Sequence, residues 1–282
     1  MGDNNNVADH YNKIKPMEVE ERNNSKIISI RQVNNFIKQK LIEKYVKENS
    51  VVLDLGCGKG GDLTKLKFRN IRHYYGCDIA ENSLSEALRR ASGQKFKADF
   101  IKADFGRQTI KLCEEADVVM CQFSFHYVFG SEKELEKAVS NVCRNLKEGG
   151  VFFLTVPNDA VIVRRALKAD SKAFGNSLYK IEPKEALSSE PGFGKAYVFY
   201  LEEAVTGCEE YLASTKILTE KLEKFSLFPL MESDFLTILN TEIKADPELY
   251  RKMVKHSLGR DEVQVVELYK AAAYRKQKKP GT

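Results

Sequence analysis

The residues that can do chemistry begin in a run of eleven positions, Val52-Leu53-Asp54-Leu55-Gly56-Cys57-Gly58-Lys59-Gly60-Gly61-Asp62. It reads as a buried strand that ends in a carboxylate and passes into a glycine-rich turn, where the missing side chains let a ligand approach the backbone closely. Alone, such a turn is shared by NAD and nucleotide folds, or is simply a tight strand-to-helix connection. Asp78 sharpens the reading. It closes the next apolar run, where a carboxylate accepts hydrogen bonds from both hydroxyls of a ribose, so the pair points to an adenosine ligand. A dinucleotide site would open its helix with G-x-G-x-x-G and rest a pyrophosphate on the helix N-terminus, whereas here Gly61 is followed by Asp62. S-adenosylmethionine has no phosphate, carries a sulfonium and an ammonium, and therefore tolerates carboxylates such as Asp54 and Asp62 nearby. Charge therefore points to methyl transfer rather than hydride transfer.

Two later strand ends extend the site. Asp104, in Lys102-Ala103-Asp104-Phe105, is placed either to accept from an adenine amino group, with Phe105 as apolar contact, or to cap a helix. Further on, Cys121-Gln122-Phe123-Ser124-Phe125-His126-Tyr127 forms a polar-aromatic cluster just past a strand, where substrate contacts are expected. His126 there is a donor to substrate, a general base or a packed histidine. No second His or Cys stands at ligand spacing, so no metal is expected.

Such positions need a sheet whose strands end on one edge. Between about Ile30 and Val156 helical and strand patterns alternate, which predicts βαβ units around a parallel sheet. Strands are expected at 51–55, 74–78, 100–102, 118–121 and 151–156, and helices at 33–45 and 132–146, the second stopping at Gly149-Gly150. After Pro157 the alternation breaks: Pro183, Pro191, Gly192 and Gly194 precede an alternating run at Tyr197, Phe199 and Leu201. That stretch reads as an insertion over the carboxyl edge of the sheet. A helix at 215–225 and strands at 227–231 and 265–274 would close it. The expected fold class is α/β, a Rossmann-like, mostly parallel sheet flanked by helices. One domain spans 30–275 with an insertion at about 158–213, between a partly flexible N-terminal extension over 1–29 and a basic tail over 276–282.

Composition fits one elaborated domain, since 282 residues at 43% hydrophobic and 30% charged can bury a large core. The apolar runs are too short to cross a bilayer, so no membrane is expected, and the polar start lacks the apolar centre of a signal peptide. A net charge of +5 permits an anionic partner without demanding one. The six cysteines form no CxxC pair and read mostly as reduced core thiols.

In chain order, Asn34-Asn35-Phe36-Ile37-Lys38, the 53–62 turn, Gln122 to Tyr127, Thr155-Val156-Pro157-Asn158 and Phe174-Gly175-Asn176-Ser177-Leu178-Tyr179 resemble the cellular mRNA cap guanine-N7 methyltransferases, and His10-Tyr11-Asn12 also fits. The likeness runs from about His10 to Tyr274 and is weaker over 186–195 and 234–264. It implies a class I S-adenosylmethionine-dependent methyltransferase fold in which the insertion forms a cap pocket. By that resemblance Lys38, Asp54, Gly56, Asp78, Asp104, Gln122 and Tyr127 bind S-adenosylmethionine, with Lys38 on the methionine carboxylate, Asp78 on the ribose and Tyr127 near the methyl. Asn34, Lys59, Pro157, His126, Glu210 and Tyr269 would line the guanosine pocket, Glu210 reading the N1 and N2 donors of guanine. A slip of one residue would pass that role to Glu209. Tyr197 and Phe199 are either aromatic surface for the guanine or strand packing. Lys59, Lys65 and Lys67 are candidates for the triphosphate bridge, with a solvated helix face the alternative for the last two.

The implied reaction is methyl transfer to N7 of the guanosine in 5′-GpppN-capped mRNA, without a metal, in the nucleus, with other capping enzymes as candidate partners. Guanine N7 carries a free lone pair at neutral pH, so no general base is needed. The expected mechanism is an in-line displacement helped by proximity, alignment and electrostatics, with His126 and Tyr127 orienting the reactants. The rivals are a methyltransferase for another RNA or small-molecule acceptor, and a noncatalytic subunit that binds S-adenosylmethionine or the cap. The complete set Asp54, Gly56, Gly58, Asp78 and Gln122 argues against a binding-only module. No proline-rich acidic loop follows the fourth strand, which argues against amine methylation.

Overall fold

A computed structural model describes residues 25–170 and 172–278. His10-Tyr11-Asn12, most of the N-terminal extension and the end of the basic tail lie outside the described residues. The chain enters through α1 (Ile28–Tyr45), whose buried Val33, Phe36, Ile37, Leu41 and Ile42 recur at helical spacing. The helix begins earlier than the pattern from Val33 predicts, because Ile27 and Ile30 are also buried, against the insertion rather than the main sheet.

The Rossmann-like half then runs β1 (Val51–Leu55), α2 (Leu63–Lys67), β2 (His73–Asp78), α3 (Glu81–Ala91), β3 (Lys97–Lys102), β4 (Ala116–Gln122), a 3₁₀ turn (Phe125–Gly130), α4 (Glu132–Asn145) and β5 (Leu146–Pro157). Next come α5 (Asp159–Lys168), the inserted strands β6 (Phe174–Gly175), β7 (Tyr179–Pro183), β8 (Ala196–Leu201) and β9 (Val205–Tyr211), and α6 (Thr215–Glu223). The chain closes with β10 (Leu227–Asp234), α7 (Phe235–Ala245), α8 (Pro247–Met253), α9 (Arg260–Val266) and β11 (Tyr269–Lys276).

Seven strands order as β10-β11-β5-β4-β1-β2-β3, with β1 to β5 mutually parallel and β11 antiparallel to both neighbours. Every residue of β1 is buried, as a strand covered on both faces requires. Strand order reverses between β1 and β4, and α/β sheets bind ligands in the crevice outside the carboxyl ends of strands at such a switch point. Asp54 and Gln122 stand at those two strand ends.

Three readings of the sequence need correction. Val265 and Val266 belong to α9, not to the last strand: Glu262 reaches back to the Gly259 N–H at 2.6 Å and starts a helical turn, so β11 begins at Tyr269. Helix α4 stops at Asn145, since Leu146 already pairs with Ala116 of β4. The segment 235–266 holds three helices with no counterpart in the predicted elements. The insertion forms its own antiparallel sheet, β6-β7-β8-β9, whose buried Tyr179, Ile181, Tyr197 and Phe199 pack with Ile162 of α5 and Ile27 and Ile30 of α1. One helix thus touches both the main sheet and the insertion.

Candidate active site

A cavity of about 250 Å³ opens at the switch point, walled by Lys38, Asp54, Gly56, Gly58, Asp62, Asp78, Gln122, Phe123, Ser124 and Tyr127 among others. The glycine turn makes its floor. Gly56 has φ of +73°, and a Cβ there would fall 2.1 Å from Ser124 Oγ, so the turn and the loop after β4 meet only because this residue lacks a side chain. The amides of Gly56 and Cys57 both donate to the Cys77 carbonyl, at 2.7 and 3.0 Å. Asp78 closes the turn: its Oδ2 accepts from the Gly58 N–H at 2.7 Å and its Oδ1 from the Ala80 N–H at 2.9 Å. Burial raises the Asp78 pKa above the ordinary carboxylate value, and these backbone donors pull it back.

Two acids of one wall are driven apart. Asp54 is 2% exposed and accepts one hydrogen bond, from the Tyr74 hydroxyl at 2.9 Å. Burial first, and the charge of Asp62 second, push its pKa up to about 8. Burial also opposes ionisation of Asp62, but there Lys38 at 2.8 Å and Lys65 at 2.9 Å outweigh it and bring the pKa down to about 2. Lys65 is itself buried and donates to Asn35 Oδ1 and the Gly61 carbonyl as well, so it reaches an anionic ligand only by giving up one of these partners. Lys67 lies exposed at the end of α2.

A second group of predicted residues gathers beside the cavity. Phe123 adopts φ of +62°, a conformation that costs a bulky residue about 1–3 kcal/mol and so marks a constrained site. Its N–H donates to the Thr155 carbonyl and Oγ1, both at 3.0 Å, and its ring meets Tyr269 edge-on with centroids 5.1 Å apart. Tyr269 opens β11 directly opposite Pro157. The His126 ring lies 4.2 Å from that of Tyr127, whose hydroxyl is 3.4 Å from Cys208 Sγ on β9. His126 Nε2 lies 3.5 Å from Glu210 Oε1, too far for a good hydrogen bond. Along β9 alternate residues face opposite sides: Cys208 and Glu210 turn inward, and Glu209 turns out to Tyr211 and Lys184. Glu210, not Glu209, therefore shares the site with His126.

Buried polar atoms without hydrogen-bond partners concentrate on predicted site residues. They include Asn34 Oδ1, Gln122 Nε2 and both ring nitrogens of His126. Each such atom costs roughly 1–3 kcal/mol, and a group of them calls for a ligand to satisfy it. Asn34, Lys59, Asp104, Pro157, His126, Glu210 and Tyr269 do not line the cavity itself. Lys59 is half-buried in the turn, and Asp104 accepts from the Gly106 N–H through Oδ1 at 2.9 Å while Oδ2 lies 3.7 Å from Arg107 Nε. Tyr197 and Phe199 are both buried in the insertion core, with the Tyr197 hydroxyl on Glu210, so the packing alternative is the one observed. What the sequence did not disclose is the pairing of Asp62 with Lys38 and Lys65. The only sequence signal was the spacing of Asp62 and Lys65 on one helical turn.

Among the described residues no group of three or more His, Cys, Asp or Glu could hold a metal ion, and no helix is long and apolar enough to cross a membrane. The family profile described as mRNA (guanine-N(7))-methyltransferase domain matches residues 1–277. The chain is 34% identical to mRNA cap guanine-N(7) methyltransferase 1 of Oryza sativa subsp. japonica, over 97% of this chain and 82% of that one. With mRNA cap guanine-N(7) methyltransferase of Schizosaccharomyces pombe it shares 35% identity over 96% and 81%. In fold it is similar to a putative S-adenosylmethionine dependent methyltransferase from Listeria monocytogenes, with a TM-score of 0.58 at 16% identity over 88% of this chain and 99% of that one. It is also similar to N-methyltransferase NodS from Bradyrhizobium japonicum in complex with S-adenosyl-L-homocysteine, with a TM-score of 0.55 at 11% identity over 97% and 98%.

Proposed function

The chain belongs to the mRNA cap guanine-N7 methyltransferase family, and from that premise we infer how its residues divide the work. It is an S-adenosylmethionine-dependent enzyme of the class I fold that methylates N7 of the cap guanine, and capped RNA is its substrate. Unpaired buried atoms on Asn34, Gln122 and His126, with Gln122 in the wall of a cavity that Asp54 and Asp78 also line, carry the division proposed here. S-adenosylmethionine supplies an electrophilic methyl group. Asp78 takes the ribose hydroxyls, Lys38 the methionine carboxylate, Gln122 a polar group of the donor through its unpaired Nε2, and Asp54 faces the cationic end. On the acceptor side Glu210 reads the guanine edge and His126 orients the base, with Asn34, Pro157 and Tyr269 as walls and Lys59 toward the triphosphate. Asp104, with Oδ1 on the Gly106 N–H and Oδ2 3.7 Å from Arg107 Nε, is assigned to the adenine.

No residue needs to remove a proton, because the N7 lone pair is already free. The protein's contribution is alignment and a site already poised for charge to pass from sulfur to the purine. Nuclear location and assembly with other capping enzymes follow from the same reading. Transfer of labelled methyl from S-adenosylmethionine to GpppA, followed by nuclease digestion, tests it. Label on guanine N7 is expected; donor binding with no transfer to any capped dinucleotide would assign the cavity a different acceptor.

Asp54 makes donor binding depend on pH. Its folded-state pKa of about 8 lies above the ordinary value of about 4, so the native state holds a proton that the unfolded state has lost between those limits. That contribution to stability is fully present below about pH 4 and is lost as pH rises through about 8, at up to about 1.4 kcal/mol per pH unit. A cationic donor favours the ionised form, so S-adenosylmethionine affinity is expected to climb between pH 6 and about 8 and then level. Asp54→Asn keeps an acceptor for Tyr74 and should flatten both the thermal-stability slope and the affinity slope. Parallel pH dependences in the variant and the parent would remove Asp54 as their source.

A further inference from the structure

Tyr197 and Glu210 stand directly opposite each other on β8 and β9. Tyr197 is fully buried, and its hydroxyl donates to Glu210 Oε2 at 2.9 Å, while Oε1 faces His126 at 3.5 Å. The ring belongs to the insertion core, a cluster that also takes in Ile27 and Ile30 of α1. A glutamate has three side-chain torsions, and a carboxylate free to rotate presents its two oxygens in a plane only by chance. Guanine offers its N1–H and N2–H side by side along one edge, which a carboxylate matches when its plane is fixed.

We propose that Tyr197 is a positioning residue for guanine recognition: its hydroxyl fixes the plane of the Glu210 carboxylate so that the pocket distinguishes a base with both donors from a base with one. This rests on the reading of Glu210 as the residue that contacts the guanine edge. Tyr197 does not touch the reacting atoms. The hydroxyl occupies one lone pair of Oε2 and leaves three for the base, enough for two donors. A base without the 2-amino group leaves one oxygen underpaired, and the fixed carboxylate cannot turn to relieve it.

The test is Tyr197→Phe, which keeps the ring and its packing, assayed with GpppA and with the same dinucleotide carrying hypoxanthine in place of guanine. Expected is a rise of about tenfold in KM for GpppA with kcat unchanged, the pattern of lost ground-state binding. The preference for guanine over hypoxanthine, as a ratio of kcat/KM, should fall roughly threefold. Affinity for S-adenosylhomocysteine should not move. Unchanged KM and preference would overturn the proposal, and so would a joint loss of kcat, donor affinity and thermal stability, which a purely structural tyrosine would give. Glu210→Gln separates this from the underlying reading: if that variant leaves KM for GpppA unaltered, the guanine contact lies elsewhere. If it raises KM while Tyr197→Phe does not, Glu210 reads the base without help from Tyr197.

Discussion

Alanine at Asp78 is expected to lower kcat/KM for S-adenosylmethionine by about a thousandfold, roughly 4 kcal/mol of transition-state stabilisation. The carboxylate ends β2, the neighbour of β1 on the side away from the reversal of strand order, and accepts from the Gly58 and Ala80 amides at 2.7 and 2.9 Å. Those two bonds hold the glycine turn in the shape that forms the cavity floor, while the remaining lone pairs face the space assigned to the ribose. Removing the side chain therefore loses a ligand contact and loosens the turn together. Asparagine keeps one acceptor and should fall between parent and alanine. Titration with S-adenosylhomocysteine checks the assignment, since an alanine variant that binds it as tightly as the parent would take Asp78 out of the donor site.

The arrangement proposed to hold the donor was legible because its geometry is local. Asp54 and the glycines sit in one strand-turn unit, Asp78 ends the next strand, and parallel pairing of β1 with β2 brings them together without any other information. Gln122 follows from the same rule at the end of β4. The proposed acceptor half depends on chain segments far apart, such as Pro157 against Tyr269 and His126 against Glu210, and no periodicity specifies those contacts. The choice between Glu209 and Glu210 depended on the inward parity of β9, a strand that was not itself predicted. Elements with one clear pattern, the continuous buried run of β1 and the helical spacing of most of α1, were read well. Val265 and Val266 misled because a β-branched apolar pair suits a strand and a buried helix turn equally, and the decision lay in the Glu262 to Gly259 contact.

Loss of the Asp62 carboxylate should have the largest effect on stability. Lys38 and Lys65 have only 15% and 10% of their side chains exposed, and both ammonium groups pair with this one acid. Asp62→Ala strands two nearly buried cations, and breaking a buried pair from one side costs about 3–5 kcal/mol. Lys65→Met should cost less, because Asp62 keeps Lys38, and adding it to Asp62→Ala should recover part of the loss. The direction with pH follows from the depressed pKa of about 2: the carboxylate contributes above its ordinary value of about 4, and the contribution disappears as pH falls through about 2. Denaturant titrations at pH 7 and pH 3 should therefore show the gap between the parent and Asp62→Ala narrowing at the lower pH without closing, and a constant gap would mean the cost is one of packing. The same substitution reaches the chemistry, because the charge of Asp62 is the second cause of the high Asp54 pKa. Asp62→Asn should shift the pH dependence of donor binding to lower pH while leaving Asp54 in place. Such a shift would tie the stability of the α1–turn contact and the protonation of the donor site to one buried carboxylate.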